Sequence, residues 1–228
     1  MRPSSTLLLL AAAGCAGAPP TRVTTWGTMR EVLREGHTEA RVAPAAVASP
    51  HAIGVGALAA LAGEVTIVDG ATHIAEAQAD GTLRVRAATA ADQAALLVVA
   101  EVERWIELPL GACTDYDALE DRIETALREH GRDPGAPQPV RVRGAARRLA
   151  LHVIAGACPI ARPDGPAPWR FVGPVAAVEL VGVFVDGAAG RLTHHDRRSH
   201  LHAVAPGLAG HLDDVAFDRA VLLLPDDR

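Results

Sequence analysis

The chain has 228 residues, a formal net charge of -5, 49% hydrophobic and only 3% aromatic residues. Apolar content this high against 21% charged residues excludes general disorder and predicts an aliphatic core. An acidic chain poor in stacking aromatics is not a nucleic-acid binder, which is usually basic.

Residues Met1 to Thr6 carry one positive charge and lead into the apolar run Leu7 to Ala13, too short to span a bilayer but of signal-segment form. The run ends Ala12-Ala13-Gly14-Cys15, which resembles a bacterial lipobox whose cysteine would carry a lipid; an ordinary secretory signal is the alternative. Either way the expected product is exported to the cell envelope, with residues 1–20 a signal segment and tether and residues 21–228 the folded domain. Cys113 and Cys158 then remain as an even pair in an oxidising compartment, either bridged or as two buried thiols.

Thr28-Met29-Arg30-Glu31 has capping-box form and predicts a short helix through Leu33 that stops at Gly36. His51 to Leu58 reads as a small-residue strand. Glu64 to Val68 and Thr72 to Ala77 flank Asp69-Gly70, a hairpin signal, and Asp80-Gly81 turns the chain toward a strand at Thr82 to Arg86. Leu96 to Leu108 reads as one apolar strand ended by Pro109. In Tyr116 to His130, Leu119, Ile123, Ala126 and Leu127 recur at helical spacing, between an N-cap at Asp115 and a stop at Gly131. The stretch Asp133 to Pro139 holds three prolines, reads as a linker and divides the chain into halves. Strands follow at Val140 to Val142, Leu149 to Ala155, Val175 to Val185, His200 to Val204 and Ala220 to Leu224, with Pro159 to Pro168 a loop. The sum is an α+β fold, mostly antiparallel sheet in two halves with two or three helices.

Five of the ten histidines fall between His194 and His211. In Ser199-His200-Leu201-His202-Ala203-Val204 the alternation puts His200 and His202 on one strand face, roughly 6.5–7 Å apart at Cα. After the Pro206-Gly207 turn, His211 returns on a neighbouring strand as a third nitrogen. Three imidazoles with an open position describe a catalytic zinc-type site, although imidazole also suits nickel, copper and iron. The apolar alternates Leu201, Ala203 and Leu212 fit strands buried on their other face. Asp213 reads as a solvated loop acid, with a supporting or ligating role as the alternative, and His194-His195-Asp196 as a surface turn.

Four stretches carry a likeness beyond composition: Trp26-Gly27-Thr28-Met29 leading to Val32-Leu33; Ile53-Gly54-Val55-Gly56-Ala57-Leu58 followed by Gly63-Glu64-Val65-Thr66-Ile67-Val68-Asp69-Gly70; Val178 to Phe184; and His200-Leu201-His202 with Gly210-His211. In this order they resemble the alpha-acetolactate decarboxylase family. The resemblance implies two related β-rich halves, a divalent metal, zinc in the family, held by His200, His202 and His211, and a carboxylate near it at Glu64. A small 2-hydroxy-3-oxo acid would be the substrate, with a homodimer open as the assembly. The same histidine motif resembles that of the small prokaryotic and plant conserved domains, so it does not by itself fix the reaction.

The chain departs from the family at three places. Only eight residues separate His202 from His211, a shortened turn. His152 stands where the family has an active-site arginine; protonated, it could partly replace it, and otherwise it is a histidine satisfied within the sheet. Leu223 stands at a second family glutamate. The implied activity is a metal-dependent carboxy-lyase converting acetolactate to acetoin and carbon dioxide, with Glu64 and His152 as its catalytic candidates. The alternatives are an envelope metal- or ligand-binding lipoprotein without turnover, and a metal-assisted hydrolase using Glu64 as base.

Overall fold

The computed structural model describes residues 21–158, 162, 164–194 and 196–227, so Cys15 and part of the Pro159 to Pro168 loop lie outside it. The first half forms a six-stranded antiparallel sheet from β1 (Arg22–Trp26), β2 (Ala52–Leu58), β3 (Glu64–Val68), β4 (Ala71–Ala77), β5 (Leu83–Ala87) and β6 (Ala94–Glu101), in the order β1-β6-β2-β3-β4-β5. β1, which the sequence pattern did not announce, pairs with β6. The Thr28/Glu31 capping box forms as expected, and it opens a single π-helical turn at Arg30–Arg34 that ends before Gly36. A one-turn helix, α1 (Pro44–Val47), interrupts the Pro/Ala-rich passage.

β2 and β6 are apolar almost throughout because both faces of this sheet are covered. Leu97 and Val99 pack with Ala52, Val65, Ile67 and Ile74 on one side, while Val55 and Val98 meet Val181, Val183 and Val185 of the second half on the other. The hairpin at Asp69-Gly70 forms with positive φ at both residues (48° and 76°), the geometry of a two-residue turn.

Leu96 to Leu108 is two strands rather than one. β6 ends at Glu101, and β7 (Trp105–Leu110) belongs to the other sheet, so the chain divides near residues 102–104 and not at Asp133 to Pro139. Pro109 sits inside β7, which tolerates it as an edge strand. The second sheet contains β7, β8 (Gln138–Val153), β9 (Trp169–Phe184), β10 (Ser199–Ala205) and β11 (Leu208–Pro225) in the order β10-β9-β8-β11-β7. Because β10 also pairs with β11, the four strands β8 to β11 close into a ring. The expected linker ends in a strand: Pro139 is tolerated because β11 joins β8 only from Arg141 onward.

α2 (Tyr116–Glu129) lies against this ring, capped by Asp115, whose carboxylate accepts from Ala118 N at 2.8 Å. Leu119, Ile123 and Leu127 are fully buried there, worth about 1.5–3 kcal/mol each. Ser199, at the start of β10, donates to Glu120 of α2 at 2.6 Å and anchors that strand to the helix. Gly182 faces Leu201 across β9 and β10 with φ 152°, and a Cβ there would stand 1.9 Å from the His200 carbonyl. Only glycine permits β10 to lie this close. Cys113 and Cys158 are free, buried thiols in separate core clusters, so the disulfide alternative does not hold in this fold. Among the described residues no helix is long and apolar enough to cross a membrane.

A histidine cluster between the two sheets

Leu151, Leu201, Ala203 and Leu212 turn into the core beneath α2. Strand alternation therefore sends His200 and His202 of β10 and their neighbours to the opposite face, toward the first sheet. Register completes the cluster: His202 is paired with His211, and His211 with His152, across β10, β11 and β8. The short connection after His202 closes as a tight hairpin with Gly207 at φ 74°, and this places His211 directly opposite His202.

His200, His202 and His211 are buried, and each offers a ring nitrogen within 4.8 Å of the others. Their ring centroids are 5.2–5.4 Å apart. His200 Nδ1 and His202 Nε2 have no hydrogen-bond partner. Buried polar atoms are nearly always paired, and two unpaired imidazole nitrogens in so close a cluster fit a cation held by three histidines. The other nitrogen of His202, Nδ1, lies 2.9 Å from Thr66 Oγ1 on β3, an outer contact that fixes ring orientation. Burial, followed by the nearby charge of other histidines, holds all three imidazoles neutral; His200 and His211 fall well below the usual value and His202 to about 3. Neutral imidazole is the form that ligates metals.

On β3, Val65 and Ile67 face the first sheet's core, so Glu64 and Thr66 face the cluster. Glu64 opens β3. It is buried, with Oε2 3.7 Å from His202 Nε2, and Oε1 accepts from Ile154 N at 3.4 Å. Burial pushes its carboxyl up to about 7, against the His152 charge and the Ile154 N–H.

His152 is both satisfied and directed at the cluster. Its Nδ1 is 2.6 Å from Asp213 Oδ1, and its ring centroid is 4.9 Å from that of His211. Asp213 is consequently no solvated loop acid. It sits on β11 and also accepts from Arg170 at 2.9 Å; these bonds hold its carboxyl low although burial opposes them. His194, expected on a surface turn, lies over the cluster, 4.6 Å from His211 and 6.1 Å from His200 between centroids.

His200, His211, Glu64, His152, Asp213 and His194 line a cavity of about 280 Å³ walled on its apolar side by Met29, Leu33, Leu96 and Ile154, with His202 buried behind them. Arg170 and Arg197 also line it, although motif comparison places no arginine at the site. Arg170 was missed because it approaches from β9, directly opposite His152, rather than from β8. The only available signal was its alternation between Trp169 and Phe171. Leu223, by contrast, is buried beside Arg141 and does not line the cavity. The second carboxylate there is Asp213.

Protonation yields a stability prediction for the metal-free chain. The three histidines stay neutral when folded but take up protons near pH 6.5 when unfolded, so they remove stability as pH falls below about 6.5, for His202 down to about 3. Glu64 acts oppositely: folded, it keeps its proton up to about 7, so the stability it contributes below 4.5 is lost as pH rises. The contributions oppose each other between about 4.5 and 6.5, and below that the histidines act alone. Urea midpoints of chelator-treated protein should therefore fall most steeply below about pH 4.5. A midpoint flat from pH 7 to 4 would contradict the neutral, buried histidines.

A scan against protein-family models finds no match, and a search of curated proteins finds none either. Solved structures do share the fold. Acetolactate decarboxylase from Bacillus subtilis subspecies spizizenii matches with TM-score 0.69 at 16% identity, over 89% of this chain and 85% of that one. Alpha-acetolactate decarboxylase from Bacillus subtilis strain 168 gives 0.68 at 16%, over 89% and 84%. A Staphylococcus aureus protein of unknown function, similar to alpha-acetolactate decarboxylase, gives 0.68 at 14%, also over 89% and 84%. The likeness is one of fold: two antiparallel sheets arranged as in a known decarboxylase.

Proposed function

We propose that the chain is a metal-dependent carboxy-lyase acting on a 2-hydroxy-3-oxo acid of the acetolactate class. The observation that carries this reading is the set of three neutral, buried imidazoles with two unpartnered nitrogens beside a buried carboxyl, at a cavity that His200, His211 and Glu64 line, inside a decarboxylase-like fold. His200, His202 and His211 would hold the divalent ion, with zinc favoured by the all-nitrogen donor set. When bound, the ion supplies Lewis-acid polarisation of the substrate's carbonyl oxygen.

The protein groups divide the remaining work. Arg170 and His152, joined through Asp213, present donors to the substrate carboxylate; arginine does so bidentately. Loss of carbon dioxide breaks the carbon–carbon bond and leaves its electron pair on the substrate. Glu64, which holds a proton near neutral pH, returns one to that carbon. Met29, Leu33, Leu96 and Ile154 keep water from the reacting carbon. The family arginine on β8 is in this reading replaced from the neighbouring strand.

The test is release of carbon dioxide and formation of acetoin from racemic acetolactate by metal-loaded protein. Glu64→Gln should keep the metal and lower kcat by about 10²–10⁴-fold; unchanged turnover removes Glu64 from the mechanism. Metal-replete protein that releases no carbon dioxide is a metal- or ligand-binding protein instead. Export and an envelope anchor through Cys15 belong to the same proposal, tested by lipid labelling of the full chain and of Cys15→Ala.

A further inference from the structure

A second cavity, of about 250 Å³, adjoins the histidine-lined one and shares Met29, Leu33, Cys158, His194 and Arg197 with it. Its own character is cationic. Arg30 and Arg34 reach it from the π-helical turn and Arg197 from the segment before β10, against a single lining carboxylate, Asp196. Arg30 is paired with Glu35, and Arg197 lies over the Tyr116 ring and bonds Asp117. Among the described residues Arg34 has no ion-pair partner. Thr193 also lines this annex; it is fully buried, and its hydroxyl lacks any hydrogen-bond partner. An unpaired buried hydroxyl costs about 1–3 kcal/mol, and such a group is explained when a ligand supplies the partner.

We infer that the annex receives a second anionic group, a terminal carboxylate or phosphate, at the far end of the molecule whose reacting end occupies the histidine cavity. Guanidinium groups recognise both anions through paired N–H donors, and the Thr193 hydroxyl donates a further bond. The preferred substrate of this chain is then a dianion longer than acetolactate, whose reacting end acetolactate itself supplies. This rests on the histidine cavity being the substrate site, as proposed above, but not on turnover there.

The experiment is calorimetric binding to the metal-loaded chain of three homologous series: saturated monocarboxylates, α,ω-dicarboxylates, and carboxylates bearing a terminal phosphate. At the best length a second charge should raise affinity about tenfold or more, and the stronger of the two dianion series identifies the terminal group. R30Q/R34Q alters exposed side chains and should erase that excess while leaving monocarboxylate affinity unchanged. T193V should reduce the excess without lowering the melting temperature, because the hydroxyl it removes makes no bond within the protein. Equal affinity for mono- and dianions at every length overturns the proposal, as does an excess left undiminished by either variant. A protein inert toward acetolactate but showing the excess retains the annex and loses the lyase reading. One that turns over acetolactate without any excess does the reverse.

Discussion

A chain carrying His200→Ala and His202→Ala, loaded with zinc and desalted, will retain no stoichiometric metal, whereas the parent retains about one ion per chain. The reason is ligand number: structural and catalytic ions need three or four protein ligands, and His211 alone remains of the buried set. Melting supplies an independent readout. An ion present at a hundredfold over its dissociation constant stabilises the parent by about 2.7 kcal/mol, or about 2–4 °C per kcal/mol in a domain of this size. The double variant should melt at the same temperature with and without metal. Thr66→Val tests the outer contact, since freeing the His202 ring should weaken metal binding by about 10–100-fold. Full metal retention by the double variant would refute the site.

The largest effect on stability is expected at Arg141. Its side chain is only 2% exposed; it donates to Glu179 at 2.6 Å and to both oxygens of Asp69 at 2.6 and 2.9 Å. Glu179 lies on β9 beside it, but Asp69 is the turn residue between β3 and β4, so one guanidinium ties the second sheet to the hairpin that carries Glu64 and Thr66. Breaking a buried pair costs about 3–5 kcal/mol. Asp69 is 57% exposed and can return to water, which places Arg141→Ala at about 3 kcal/mol, the lower end. Arg141→Lys should recover little, because a point charge cannot hold the bidentate bond. Urea unfolding checks both, and a change within about 0.5 kcal/mol would mean the clamp behaves as a surface pair.

Several features were legible because they depend on local chemistry alone. Asp69-Gly70 had to be a turn, since both positions need positive φ and few other pairs accept it. The α2 helix followed from apolar residues at helical spacing between Asp115 and Gly131. His200, His202 and His211 were legible because alternation fixes which side chains share a strand face. Other features were not, because their cause is distant. In Leu96 to Leu108 the charged residues Glu101, Glu103 and Arg104 fall where the apolar run leaves one sheet for the other, but an exposed strand position accepts such residues equally well. The length of β11 was hidden by register shifts at Leu212/Asp214 and between Ala216 and Ala220, which break the period of two. Asp213 looked like a loop residue for the same reason.

What the sequence determined by itself is the strands from β2 to β5 and β10, the turn that brings His211 back toward His202, and the grouping of three histidines, all consequences of spacing along one strand or across one hairpin. What only the tertiary structure decided is everything supplied by another strand or sheet. Glu64 is buried because the second sheet covers β3, and Thr66 reaches His202 for the same reason. Arg170 and Asp213 meet His152 because β9, β8 and β11 are neighbours in the closed ring, while His194 is folded over the cluster from a loop. The physical reason is that strand period sets which way a side chain points, but only sheet order and register set what it meets.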